Sequence, residues 1–167
     1  MENNIIVNME NLTNEEREQL LKLVKKSNKT TKKRWRAKID EVYYYISSVG
    51  KIDSTTEVDH SFDEGAYKFG NYFKTNEEAE FELNKRLVYQ ELKDYALEHN
   101  KVKLNWKDSL QDKWCICYDF HNKILSPENW HTIGEIGQIY FSSQQIALDA
   151  ITAVGEDRIE KYLFGVE

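Results

Sequence analysis

Residues 25–38, KKSNKTTKKRWRAK, hold eight basic side chains and no acidic one, with a tryptophan among them. Lys32, Lys33, Arg34 and Arg36 around Trp35 are the residue types that hold phosphates while an indole stacks on a base. Single-stranded nucleic acids and nucleotides are bound that way. The rest of the chain has 15 basic against 29 acidic side chains, a balance of −14, which repels a polyanion. A solvated linker is the plainer reading of the same run. Two further sets of residues carry chemistry of their own. Tyr43 and Tyr45 sit two apart in YYYI and share a strand face, so they can wall a ring or pack into a core. Asp53, Glu57, Asp59, Asp63 and Glu64, with His60 among them, form an acidic stretch. It offers groups for a divalent cation or for acid–base work. It lacks the ligand order of an EF-hand, and reads as a solvated loop suited to a basic partner surface.

Cys115, Cys117, His121 and His131 have the composition of a zinc site but not its order. Side chains at i and i+2 of a strand stand about 7 Å apart, so the two cysteines read as free, buried thiols. The chain has no G-x-S-x-G elbow, Gly-rich phosphate loop or H-E-x-x-H. Its reading is non-enzymatic, with no metal and no cofactor.

These residues need elements to hold them. Ile5, Val7 and Met9 alternate as a strand, and Thr13 with Glu16 has capping-box spacing. The helix that follows carries Leu20, Leu21 and Val24 and fades near Asn28. EVYYYISSVGKI is a strand. The polar segment DSTTEVDHSFDEGAYKFGN reads as a long loop leading into a short strand near residues 67–73. Thr75 with Glu78 repeats the capping box and opens a helix from Asn76 to His99, its stripe made by Ala79, Leu83, Leu87 or Val88, Leu92 and Ala96. KWCICYDF is a strand, SPENWH a loop and GQIYF a strand. Ser142 with Gln145 then starts a helix that Gly155 ends, and EDRIEKYLFG makes a short last helix.

An offset of 68 residues lays Phe73 on Phe141, Thr75 on Ser143 and Ala79 on Ala147, the pattern of a β-β-α duplication or of repeated helix-start chemistry. The fold class is α+β: a single domain with a small mixed or antiparallel sheet, a long central helix and a helical C-terminus. Its parts are a strand–helix arm (1–28) that can serve a homo-oligomer, a basic linker (29–41) and a core (42–167) with halves 42–100 and 113–155. No run approaches the roughly 20 apolar residues of a membrane span, and MENNIIVNMENL lacks a signal peptide's basic start and apolar run. The expected location is cytoplasmic, with no membrane partner.

The segments MENLTNEEREQLLKLVKKSNK, YKFGNYFKTNEEAE, WCICYDF, IGQIYFSS and GEDRIEKYLFGVE, in order, resemble those of small proteins in phages and prophages of Gram-positive bacteria. Members of that set have a proline and a Gly-Glu pair between the tryptophan and the tyrosine strand, where this chain has Ile39 and Asp40. The resemblance implies a phage accessory protein in the bacterial host's cytoplasm that counters host defence by binding. One mechanism sequesters a nucleotide immune signal, with Arg or Lys on phosphates and Trp or Tyr on the base. Another inhibits a host effector such as a CRISPR nuclease through the acidic face. The alternative is a nucleic-acid-binding accessory or regulatory protein acting through residues 25–38.

Overall fold

The structure is a computed structural model describing residues 12–27 and 34–166. The strand expected at Ile5, Val7 and Met9 and the strap residues Lys32 and Lys33 lie outside them. The chain divides into two compact units, residues 1–35 and 36–167. In the first, α1 (Asn14–Ser27) begins on the reciprocal cap its sequence encodes. The Glu16 N–H donates to Thr13 Oγ1 at 3.3 Å, and the Thr13 N–H to Glu16 Oε2 at 2.8 Å. Two of the helix's orphan donors are satisfied in this way.

The second unit is α+β. β1 (Val42–Ile46) and β2 (Ile52–Thr56) form an antiparallel hairpin, followed by α2 (Ser61–Lys68) and α3 (Asn76–His99). Next come β3 (Trp114–Asp119), β4 (Ile124–Asn129) and β5 (Tyr140–Phe141), an antiparallel sheet ordered β4-β3-β5. α4 (Gln144–Val154) and α5 (Glu156–Ile159) follow, and α5 runs into a π-helical turn, Glu160–Phe164. Gly155 and Gly165 hold φ of 102° and 68° at these breaks, backbone that glycine adopts without a Cβ clash.

α3 has the predicted bounds, and its alternative resolves: Val88 is buried and Leu87 exposed. Val88, Leu92 and Ala96 meet Ile116, Leu125 and Phe141 of the sheet and the inner face of α4 in one core. α3 also packs on β1 and β2, so one helix serves both sheets. Arg158 fastens α5 to α3 through both oxygens of Glu91, at 2.7 and 2.9 Å.

The two halves share a strand order. In each, the first strand pairs with the second in a hairpin, and on its other side with a short segment just before a helix. Tyr44 and Phe73 exchange both backbone hydrogen bonds at 2.9 Å, and Trp114 pairs with Phe141. Two residues on stand the N-caps, Thr75 and Ser143. Four residues later come Ala79 and Ala147, both fully buried.

Several sequence expectations need correction. The polar stretch after β1 is not one long loop, and no strand spans 67–73: it contains β2 and α2. SPENWH is not wholly loop, since β4 runs through Pro127. β4 lies at the sheet edge, where a residue without an N–H is tolerated. The cap of α4 is Ser143, whose Oγ accepts the Ile146 N–H, whereas Ser142 Oγ accepts the Lys101 N–H. Glu78 does not complete a box with Thr75; its carboxylate takes the Lys74 N–H instead.

Candidate functional site

α2 starts where the sequence suggested only solvated acid. The Phe62 N–H donates to His60 Nδ1 at 3.2 Å, and the His60 N–H to Asp63 Oδ2 at 2.9 Å. Asp63 is 2% exposed and also receives the Val58 N–H at 3.1 Å and the Tyr43 hydroxyl at 2.7 Å. Burial pulls the Asp63 carboxyl upward, but the bonds from Tyr43, His60 and Val58 outweigh it and leave it below its usual range.

Beside it, Glu57 is 1% exposed. Arg36 meets it with two nitrogens, Nε at 3.0 Å and Nη2 at 3.2 Å, a bidentate pair. Tyr72 adds its hydroxyl at 2.7 Å and the Asp59 backbone its N–H at 2.9 Å. Arg36 Nη1 also reaches Glu64 at 2.6 Å, and Nη2 lies 3.7 Å from Asp59. The Arg36 bonds hold Glu57 below the ordinary carboxylate range, while Glu57 and Glu64 raise the guanidinium further.

This arrangement ties one sequence-predicted set to the other. Arg36 and Tyr43, read as ligand contacts, engage Glu57, Asp59, Asp63 and Glu64, read as partner contacts. Glu57, Asp63 and Tyr43 therefore lie beneath the surface, and the acidic groups left outside are Asp53, Asp59 and Glu64. Tyr45 is half-buried, with its ring 6.4 Å from that of Tyr43. In the first unit Arg34 is exposed and Trp35 half-buried.

The network anchors α2, and the opposite face of α2 is open. Phe62, Gly65, Ala66 and Phe69 recur at i, i+3, i+4 and i+7, one helical face. With Tyr45 and Ile46 of β1 they line a groove of about 720 Å³. Phe69 is 82% and Phe62 49% exposed, and Phe62 stands edge-on to Tyr45 with centroids 5.2 Å apart. Between the two phenylalanines the floor is Gly65, where an added Cβ would have nothing within 4 Å. Asn71 fixes the strand side, donating to the Ile46 carbonyl at 2.8 Å and accepting the Ile46 N–H at 2.9 Å.

No protein-family model, curated protein or solved structure matches the chain.

The groove residues Phe62, Gly65 and Phe69 were missed by sequence reasoning. The usable signal was the apolar spacing Phe62, Ala66, Phe69 behind His60 and Asp63, an unusual start to a short helix.

The cysteines need a geometric correction. Cys115 and Cys117 are free, but their sulfurs lean together to 3.6 Å instead of about 7 Å. Burial pushes the Cys115 thiol up to about 12 and raises that of Cys117, so both are held as neutral thiols. Among the described residues no three His, Cys, Asp or Glu side chains gather to hold a metal ion, and no helix is long and apolar enough to cross a membrane.

Proposed function

We propose that the chain is a phage or prophage accessory protein that counters bacterial host defence by binding a host effector protein at the α2 groove. The observation that carries this reading is Gly65. Glycine inside a helix costs about 1 kcal/mol relative to alanine, and no neighbour here demands it. The residue leaves open the space between two exposed phenylalanines, a site for a partner's apolar side chain. Aromatic anchors and filled pockets of this kind carry most of the binding energy of protein interfaces.

The charge of the unit supports a basic partner. The groove lining itself is uncharged; Asp53 lies opposite Tyr45 in the β1–β2 register, while Asp59 and Glu64 stand on the network side of α2, where Arg36 pairs with both. Residues 36–167 hold 15 basic and 24 acidic side chains, a balance of −9. Such a field favours approach to a positively charged surface, for example one that ordinarily holds nucleic acid, as in a CRISPR nuclease. Sequestering a nucleotide draws less support, because Arg36 is held by Glu57 and Glu64 and Tyr43 is buried. Blocking a surface requires no reaction, in keeping with a non-enzymatic role.

The test is affinity capture from phage-infected bacteria, with mass spectrometry of proteins and small molecules, comparing wild type with Phe69→Ala. The reading predicts one host protein in near-equal amount with the wild type, reduced at least tenfold by the substitution. Recovery of a nucleotide with no protein, or equal capture by the variant, contradicts it.

A further inference from the structure

A second cavity lies away from α2, where α3, β3, β5 and the π-helical turn meet. It encloses about 400 Å³, within the range of small-molecule sites. Its floor is Leu92, Ile116, Phe141 and Ile159, all buried. The π-helical turn adds Leu163 and Phe164 to its wall, and such turns often occur at functional sites. Ile136 stands fully exposed beside it, an apolar side chain with no cover of its own. The charged member of this lining is a cation, Lys85.

The chamber shares Tyr89, Gln138 and Ile139 with an adjoining groove of about 760 Å³. That groove carries Lys93, Lys101 and Lys103 against one carboxylate, Asp94, and Asp94 already accepts the Gln90 side-chain amide at 2.7 Å. An apolar chamber therefore opens onto a shelf of lysines. We infer that the paired cavity binds a single-chain amphiphilic anion, its hydrocarbon tail in the chamber and its carboxylate or phosphate head on the lysine shelf. The tail gains affinity with each methylene removed from water. The head meets ammonium groups that bind either oxyanion as point charges. Charge complementarity selects this occupant, since a cationic or neutral chain gains nothing from four lysines. The site is separate from the α2 groove and does not depend on that groove's partner.

The experiment is calorimetric titration of the full chain with dodecanoate and with dodecyl phosphate, below their micelle concentrations. Acetate, inorganic phosphate and dodecyltrimethylammonium are the controls, and near-ultraviolet circular dichroism is followed throughout. The expected result is one-to-one binding of a long-chain anion with the dichroism retained, no heat from acetate or phosphate, and at least tenfold weaker binding of the cation. Binding of dodecanoate alone assigns a carboxylate head, and of dodecyl phosphate alone a phosphate head. Ile136→Asp and the pair Lys101→Glu with Lys103→Glu, all at exposed positions, should each weaken binding at least tenfold. The inference is overturned by absence of heat, by equal binding of the cationic chain, by uptake of many chains with loss of the dichroism, or by unchanged affinity in both variants.

Discussion

Tyr43 and Tyr72 stack face to face, centroids 3.8 Å apart and 13° from parallel, and send their hydroxyls to different buried carboxylates, Asp63 and Glu57. The stack joins β1 to the segment before α3, and the carboxylates join it to the start of α2 and to Arg36. Removing one member strands the others. Glu57→Ala leaves Arg36 without its buried partner and should cost about 3 kcal/mol or more. Tyr72→Phe removes the hydrogen bond to Glu57 and the one the hydroxyl accepts from the Ala37 N–H at 3.3 Å, and should cost about 1–3 kcal/mol. Urea unfolding of both variants measures this, and the order of the two losses checks that the carboxylate is the centre.

The same groups set an acid limit. Glu57 and Asp63 are held below their ordinary values of 4.5 and 3.8, so the folded state binds protons less readily than the unfolded one. Their contribution is full above about pH 5 and is lost as pH falls through 4.5 and 3.8 toward the lowered folded values. Tyr43 and Tyr72 are raised above 10, chiefly by burial. They keep their contribution below pH 10 and lose it as pH rises further. Unfolding temperature against pH should fall at both ends, and Glu57→Gln should flatten the acid arm.

Lys113 is wholly buried, and its ammonium donates to the carbonyls of Asp108, Gln111 and His131 at 2.9, 2.8 and 2.9 Å. Three donors meet three acceptors, and the Trp106 ring lies 5.4 Å away. Lys113→Met abandons three carbonyls and should cost about 2 kcal/mol or more. Lys113→Arg should not restore it, because a planar fork cannot point at three converging acceptors. Hydrogen exchange should rise at residues 108–113 and 130–133 in both variants.

How much was legible follows from the range of the interactions. α3 was readable to its ends because a threonine cap and a recurring apolar face are both local signals, and β1 and β3 because β-branched and aromatic residues cluster there. α2 hid because it is short, has a glycine inside and starts on histidine. β4 hid behind Pro127. The candidate site was half visible: its charges stood out, but Arg36 looked like part of a basic patch because Glu57 and Glu64 lie 21 and 28 positions away. Pairing through space converts two apparent surface patches into one internal network, and no local pattern announces that.

The central claim is that the gap above Gly65 receives a partner's side chain, and one comparison tests it directly. Gly65→Ala and Gly65→Leu both remove a helix glycine and should leave the fold as stable as wild type or more so, by about 0.5–1 kcal/mol for alanine. The measurement is the yield of the captured host protein per mole of bait, for wild type and both variants. The account predicts that alanine, which puts a methyl group into the gap, already lowers the yield and that leucine lowers it at least tenfold. Undiminished capture by a folded Gly65→Leu protein would contradict it.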